Sequence, residues 1–343
     1  MEVPKDAARP LRSGKIPVDL LARLLAEFPA PPELRLKPRV GEDACAIEIP
    51  GGILIAAADP ITLSSAEIGR LSVIVNANDL AVTGARPRWF LAVILVPPGT
   101  DVSVVRDLFA AVRATLAEVG AFLVGGHTEV TPVVTRPIVV GQMLGLAEDG
   151  KFVATGGLVA GGVVVQVGPA PVEGAAVLAR EAAGRLGELD TAVLAAARAA
   201  FDRPGISVVE PALLAARFGA TALHDPTEGG LAAGLHELAD ASGLRIRIDR
   251  KAVLWFEPGV AVCRALGADP WCTLASGALL AAFPEERVEA ALQALAERGY
   301  AAAVIGRAES GSGVLDADGR SIPWRECDEV DRVLLEEKLP SAS

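Results

Sequence analysis

Three aspartates lie where an apolar stretch of the sequence begins, ends or is interrupted. Asp43 precedes an apolar-alternating segment, and Asp59 follows the run ILIAAA. Asp79, together with Asn78, interrupts the otherwise apolar helix pattern LSVIVNANDLAV. Because Mg²⁺ takes carboxylate oxygens together with phosphate oxygens, these residues suit a nucleotide site that is held mainly through a metal ion.

Two further segments place glycines and polar residues directly after apolar runs. The run LVGG, which ends in Gly125 and Gly126, is followed at once by His127-Thr128-Glu129. The pair Ala222-Leu223 leads into HDPTEGG over residues 224–230. Glycines in such places let backbone N–H groups approach a polyphosphate, and the N-terminus of a helix is itself an anion site.

The second of these segments also has a purely structural explanation. Asp225, Pro226 and Glu228 make a good helix start, as N-cap, first-turn proline and capping-box glutamate. For the segment alone this explanation is favoured. It leaves Gly229 and Gly230 unexplained, because each glycine in a helix costs about 1 kcal/mol relative to alanine. Close approach of a backbone or of an anionic ligand would account for both glycines.

The remaining candidate site residues differ in how well a purely structural role, without any ligand, explains them. Asp59 before a proline is equally well explained as the cap of a turn. A single histidine such as His127 is more often a satisfied core residue than a ligand, and His236 is interpreted as structural. Asp79 is harder to explain in this way, because a carboxylate buried in an apolar helix needs a partner.

Composition and charge exclude several classes of protein. Lys and Arg total 32 against 43 Asp and Glu, a net charge of −11, whereas nucleic-acid and anionic-membrane binding need a basic surface. The 51% of apolar residues predict a globular chain. No P-loop, dinucleotide-fold, GxSxG or HExxH pattern occurs. The four cysteines are far apart, residues 1–14 lack the apolar core of a signal peptide, and a cytoplasmic location is expected.

Hydrophobic periodicity predicts two α/β-type halves of similar size, divided in the glycine-rich stretch 150–162. The expected divisions are an N-terminal helical segment over 1–37, a first domain over 38–150 and a second over 151–343. Helices are predicted over 19–28, 67–82, 102–119, 208–218 and 285–298, with Ala-rich helices up to about 201 and one more helix from about 227. Strands are predicted over 53–57, 89–96, 121–124, 138–146, 163–167, 244–248, 278–283 and 301–306.

An ordered set of motifs resembles the PurM/HypE-like ATP-binding superfamily, and within it the HypE-like proteins called AIR synthase-related. The motifs are GEDACAI, ADPIT, NANDLAVTGARPRWF, VGGHTEVT, RPIVVGQMLG, HDPTEGGLAAGLHELADASG and SGALLAAFP. The resemblance runs from about Gly14 to Gly306. It implies a PurM-like N-terminal α/β domain whose sheet pairs with a second subunit, a C-terminal α+β domain, and ATP bound between them across the dimer interface.

The resemblance also implies roles for individual residues. Mg²⁺ or phosphate would be held by Asp43, Asp59 and Asp79. The nucleotide and its phosphates would be lined by Gly125, Gly126, His127, Thr128, Thr227, Gly229 and Gly230. Asn78 would contact the nucleotide or orient Asp79. The reacting phosphate would face His224 and Asp225, and Lys15 belongs to a mobile Gly-Lys segment that would close over it. His127 replaces an aspartate that many members carry, so that Glu129 is the substitute ligand to consider.

The expected function is ATP- and Mg²⁺-dependent transfer or cleavage of the γ-phosphate. This step would activate an amide-like or small phosphate acceptor, either a free molecule or a protein-bound group. The expected process is hydrogenase or metallocofactor maturation. HypE proper ends in a cysteine that carries a carbamoyl group. This sequence ends Leu-Pro-Ser-Ala-Ser, so thiocyanate formation on a terminal cysteine is not expected. Two alternatives remain open: a nucleotide-binding maturation or scaffold protein without turnover, and a small-molecule kinase resembling thiamine-monophosphate kinase.

Overall fold

In the computed structural model, which describes residues 18–61, 67–147, 150–325 and 327–336, the first half of the chain builds one six-stranded sheet. Its strands lie in the order β1-β2-β3-β6-β4-β5. The elements are α1 (Val18–Ala26), β1 (Leu34–Leu36), β2 (Cys45–Ile49), β3 (Gly52–Ile61), α2 (Ile68–Ala81), β4 (Trp89–Val96), α3 (Val102–Val119), β5 (Phe122–Val130) and β6 (Ile138–Ala147).

Local sequence explains these elements well. Strand β4 alternates buried and half-buried residues along its whole length, as a strand with one face on a core does. Helix α3 begins after Asp101, whose side chain accepts the Ser103 N–H at 2.7 Å, and ends at Gly120 with φ 75°. Helix α2 is apolar around its circumference and is buried. It packs on β3 and β6 and therefore carries Asp79 into the centre of the protein.

The second half builds another six-stranded sheet, in the order β12-β9-β11-β7-β10-β8. Its central strands β7 and β10 are buried on both faces. The elements are β7 (Val163–Val167), α4 (Glu173–Glu181), α5 (Thr191–Arg198), α6 (Val209–Arg217), β8 (Ala222–His224), α7 (Gly230–Ser242), β9 (Arg245–Ile248), α8 (Glu257–Ala265), β10 (Leu279–Phe283), α9 (Glu285–Glu297), β11 (Ala302–Glu309), β12 (Gly313–Asp316) and α10 (Glu329–Glu336).

The predicted fold class is confirmed, as an α/β half followed by an α+β half, and three element boundaries are corrected. Strand β3 continues through Asp59 to Ile61, whereas the sequence predicts its end at Ala57. Strand β5 continues through the GGHTE residues to Val130, whereas the sequence predicts its end at Val124. Helix α7 begins at Gly230 with Gly229 as its N-cap residue, and so the capping-box start at Asp225 is wrong. In the described part of the chain, no helix combines the length and the apolar character that crossing a bilayer requires.

Candidate active site

Four aspartates from both halves of the chain lie close together, near enough for the charges of the others to act on Asp79 and Asp225. They come from the loop before β2, from β3, from α2 and from the end of β8: Asp43, Asp59, Asp79 and Asp225. Burial, and then the charge of Asp225, raises the pKa of Asp79 well above its usual value. Burial also raises the pKa of Asp225, and the charge of Asp43 adds to the effect. The structure thus gathers these predicted residues into one acidic cluster.

His224 joins this acidic cluster to helix α7. Its Nδ1 lies 2.9 Å from Asp43 Oδ2, and its Nε2 lies 2.8 Å from Glu237 Oε2. Burial alone would lower the pKa of His224, but the two carboxylates outweigh burial and raise the pKa well above its usual value. Both ring nitrogens of the protonated imidazole are donors, so His224 holds Asp43 in place and offsets part of the negative charge.

Asp225 is the residue of this site whose carboxyl group is buried without a hydrogen-bond partner in the described ranges. The side chain is 2% exposed, and neither carboxylate oxygen has a hydrogen-bond partner among the described residues. A buried polar group in this state is costly, and a buried charge more so. The carboxyl group of Asp225 therefore lacks a hydrogen-bond partner from the described part of the chain, which a metal ion with its ligand would supply.

The acidic cluster does not form a closed metal cage. Across the described ranges, no group of three or more His, Cys, Asp and Glu side chains is arranged to hold a metal ion. Mg²⁺ usually binds proteins through one or two carboxylates and takes its other ligands from substrate phosphates and water. One or two of the carboxylates of Asp43, Asp59 and Asp79 would fit that mode of binding, and the metal role of these residues stays a prediction.

Two asparagines of α2 position this site, and only one of them entered the sequence prediction. Asn76 was missed. Its Oδ1 accepts the backbone N–H of Asp59 at 2.9 Å, and its Nδ2 donates to the Asp59 carbonyl at 3.2 Å. Asp59 is thereby held inside β3, and it does not cap a turn. The signal was present, because Asn76 is a third polar residue in the apolar pattern of α2.

The hydrogen bonds of Asn78 bear on its two expected roles, contact with the nucleotide or orientation of Asp79. Its Nδ2 donates to the Ile206 carbonyl at 2.9 Å, and its Oδ1 accepts the Val208 N–H at 2.8 Å. The side chain is fully buried, and both ends of the amide bind the backbone of the second half. Asn78 therefore joins the two halves of the chain next to Asp79, and this geometry argues against direct contact with a nucleotide.

Gly229 and Gly230 are explained by the backbone around them. Both have positive φ, 82° and 70°, and a Cβ on Gly230 would lie 2.5 Å from the carbonyl oxygen of Trp271. The Gly229 N–H donates to buried Asp328 Oδ2 at 2.7 Å, and the Gly230 N–H donates to the Thr227 carbonyl at 3.0 Å. Since both N–H groups are engaged, the predicted anion contact through these glycines is not supported. Of the two explanations left open by the sequence, the structure favours close approach of a backbone.

The GGHT residues lie away from the acidic cluster within one chain. In the register of the sheet, Asp59 on β3 pairs with Gly141, Gly141 with Ala92, and Ala92 with Gly126 on β5. Three strand spacings correspond to about 14 Å. Gly126 has φ 144°, and a Cβ there would collide with the Ala92 carbonyl oxygen, so a close strand contact also explains this glycine. His127 is exposed, as are its neighbours on β5.

Other predicted and missed residues complete the site. Lys15 lies outside the described residues. Thr227 accepts backbone hydrogen bonds from Gly230 and from Ala275 through its carbonyl oxygen. Glu237, the second carboxylate on His224, was missed, because a helix position by itself does not show how the helix packs and which side chain it meets. The structural interpretation of His236 agrees with its contact to the Ile322 carbonyl at 3.2 Å.

Comparisons with known proteins agree with this two-part architecture. Residues 41–147 match the N-terminal domain of AIR synthase related protein, and residues 159–316 match its C-terminal domain. Carbamoyl dehydratase HypE of Rhodobacter capsulatus is 31% identical over 304 residues, which cover 86% of this chain and 86% of the relative. The protein of the same name from Escherichia coli (strain K12) is 31% identical over 268 residues, covering 75% and 74%.

A solved structure shows the same fold. The hydrogenase maturation protein HypE in complex with ATP aligns with a TM-score of 0.70 at 24% identity, covering 85% of this chain and 90% of that one. The order of motifs, the two sheets and both family models thus lead to one assignment. The chain belongs to the AIR synthase related family, within the PurM/HypE-like superfamily.

Proposed function

We propose that the protein is an ATP- and Mg²⁺-dependent enzyme that transfers the γ-phosphate of ATP to the oxygen of a carbamoyl or other amide-like acceptor. The proposed reaction serves the maturation of a hydrogenase or a related metalloenzyme. The observation that carries this proposal is the buried acidic cluster, in which Asp225 has no partner of its own. The relatives named carbamoyl dehydratase support the choice of acceptor.

The acidic cluster suits phosphoryl transfer because this chemistry depends on positioning and on charge neutralisation. Asp43, Asp59 and Asp79 would hold Mg²⁺, which when bound neutralises the charge on the phosphates. His224, clamped between Asp43 and Glu237, fixes one of these carboxylates in place. Asp225, 2% exposed, would face the reacting phosphate.

The reaction is balanced without any further co-reactant. A bond forms between the acceptor oxygen and the γ-phosphorus while the bond from that phosphorus to the ADP oxygen breaks. For a primary amide, cleavage of the C–O bond then releases phosphate, and loss of both N–H protons leaves a nitrile. One amide and one ATP thus give one nitrile, one ADP and one phosphate, which carries away the two protons.

A second copy of the chain is proposed to complete the site. Strand β5 is an outer strand of its sheet, and all nine of its residues are exposed, including Phe122 and Val124. Exposed apolar edge strands of this length are normally covered. A groove of about 600 Å³ lies beside β5 and is lined by residues such as Phe109 and Leu116. Pairing through β5 would bury this surface together with Gly125–Thr128.

The proposal is tested by incubating the full chain with ATP, Mg²⁺ and either acetamide or methyl carbamate, and by measuring ADP and phosphate. We expect release that depends on the amide and is lost in Asp225→Asn and in Asp79→Asn. Asp240→Asn, which changes an exposed carboxylate on α7, is the matched control and should keep full activity. ATP turnover that is absent in the unaltered protein, or that survives both buried substitutions, would contradict the proposal.

A further inference from the structure

A small cavity, called here the α6–α9 cavity, lies in the second half of the chain, where helix α6 packs against helix α9. Its volume is about 170 Å³. Since a water molecule takes about 30 Å³ of liquid, the cavity has room for a small molecule. One face of α6 and the chain just after α9 supply its lining, which consists of Glu210, Leu213, Leu214, Arg217, Arg298 and Tyr300.

Two guanidinium groups of this cavity have no counterion among the described residues. Arg217 lies in the last turn of α6, and Arg298 is the C-cap residue of α9. Neither side chain forms an ion pair or a hydrogen bond with the part of the chain that the structure describes. Glu210, the carboxylate of the lining, is already paired, because its Oε1 accepts a hydrogen bond from Arg86 Nη1 at 2.8 Å. The cavity therefore keeps the positive charge of both arginines, in a chain whose net charge is −11.

Tyr300 brings a hydroxyl group to the same space. Its position after α9 is fixed by the Tyr300 N–H, which donates to the Leu295 carbonyl at 3.0 Å. Burial raises the pKa of the Tyr300 hydroxyl, the charge of Glu210 raises it further, and the charge of Arg298 lowers it. The hydroxyl group thus lies within electrostatic reach of both side chains. It is protonated near neutral pH, and it can donate a hydrogen bond to an anion in the cavity.

A phosphate group matches the charge and the donors of this cavity. A phosphate monoester carries about −1.5 to −2 charges near neutral pH, which balances the two guanidinium groups of Arg217 and Arg298. Each guanidinium group can give two parallel N–H bonds to phosphate oxygens. A carboxylate carries a single charge and would leave one arginine without a counterion. Leu213 and Leu214 add an apolar wall, against which a small organic group on the phosphate can pack.

Helix α6 connects this cavity to the contact between the two halves of the chain. Val208, directly before α6, donates its backbone N–H to Asn78, the neighbour of Asp79. Arg86 follows α2 in the first half, and its bond to Glu210 crosses to the rim of the cavity. A ligand that binds Arg217 on α6 and Arg298 after α9 would therefore hold in place the helix on which both contacts depend.

We propose that the α6–α9 cavity is a second ligand site, which binds a small phosphate-bearing molecule through Arg217, Arg298 and the Tyr300 hydroxyl. The lining residues are separate from the acidic cluster, and the site goes beyond the proposed function. The two sites differ in what they need. Phosphates at the acidic cluster require a cation between them and the aspartates, whereas the arginines of the α6–α9 cavity bind phosphate without a metal ion. Binding in EDTA therefore distinguishes this site from the ATP site.

The test uses Tyr300 as a local probe, because it is the only tyrosine in the sequence. The full chain, with its tyrosine labelled with ¹³C, is titrated with methyl phosphate in EDTA at constant ionic strength, and the NMR signal of the ring is followed. We expect the signal to move and to saturate. Arg217→Gln and Arg298→Gln should each raise the Kd of methyl phosphate about tenfold or more, because each removes charge-assisted hydrogen bonds. Acetate should bind about tenfold more weakly than methyl phosphate.

Arg264→Gln is the matched control, since it removes an exposed arginine from the last turn of α8 and lowers the net charge equally. It should leave the Kd of methyl phosphate within about twofold. Arg217 and Arg298 are also exposed, and cooperative urea unfolding shows that each variant is folded; if one is not, the other decides. A Tyr300 signal that does not saturate, or an unchanged Kd in the arginine variants, would overturn the site. Acetate that binds as tightly as methyl phosphate would overturn the assignment of the ligand.

Discussion

Replacing Glu173, the first residue of α4, by glutamine should change how the stability of the protein depends on pH. Burial raises the pKa of this carboxyl group from 4.5 to about 7. Between these values the folded protein holds a proton that the unfolded chain has lost. The contribution of Glu173 to stability is therefore largest at low pH, falls as the pH rises through this window, and is constant above it.

The size of the effect follows from the same two pKa values. A shift of the pKa from 4.5 to about 7 changes the free energy of unfolding by about 3.4 kcal/mol in total over the titration. About 2.5 kcal/mol of this change falls between pH 5 and pH 8. Glutamine does not titrate. The free energy of unfolding of Glu173→Gln, taken relative to the unaltered chain, should therefore rise by about 2.5 kcal/mol over that range.

Urea unfolding at pH 5, 6, 7 and 8 measures this difference. Glu181→Gln at the exposed end of the same helix is the control, and its stability should stay parallel to that of the unaltered chain. A constant offset for Glu173→Gln is expected from the change of side chain. If the offset does not grow with pH, Glu173 is not the buried, shifted carboxyl group described here, and the reasoning is refuted.

Three further predictions concern the backbone, the contact between the halves and the outer strand. Gly230→Ala should lose about 2–5 kcal/mol of stability, because φ is positive and the new Cβ would meet the 271–273 backbone. Gly243→Ala, where φ is also positive but the space is open, should lose about 1–2 kcal/mol. Equal losses of the two variants in chemical unfolding would contradict this. Asn78→Ala should cost about 2–5 kcal/mol by leaving two buried backbone groups unpaired, and a loss below 1 in the same assay would contradict the role of this residue. Val124→Lys on β5 should convert a dimer into a monomer in sedimentation velocity, whereas Val133→Lys at an exposed position beyond β5 should not; a monomeric unaltered chain would contradict the proposed pairing.

Sequence periodicity was sufficient where one local pattern determines an element. Helix α3 and strands β4 and β7 have the predicted bounds, because their hydrophobic patterns, caps and flanking glycines all agree. The predicted start of α7 was wrong for the opposite reason. Asp225 and Pro226 meet every local rule for a cap, but the aspartate side chain points into the acidic cluster, and the helix starts five residues later at Gly230.

The acidic residues of the site were predictable from the sequence, but the residues that form hydrogen bonds with the site were not. Asp79 was identifiable because a carboxylate in an apolar helix must be buried. Glu237 and Asp328 were not identifiable, since each bonds a residue on another element: His224, 13 residues away, and Gly229, 99 residues away. Such pairs depend on how helices pack on sheets, and a single sequence holds no direct record of that packing.

The central claim is that the acidic cluster binds the phosphates of ATP through Mg²⁺. The most direct test measures the free energy of unfolding in the presence of ATP, once with Mg²⁺ and once with EDTA. At a hundred times the Kd, ATP with Mg²⁺ should raise the free energy of unfolding by about 2.7 kcal/mol. In EDTA, the same ATP concentration should give almost no increase, because the phosphates would then face Asp43, Asp59, Asp79 and Asp225 without a cation. Equal stabilisation in Mg²⁺ and in EDTA would contradict the claim.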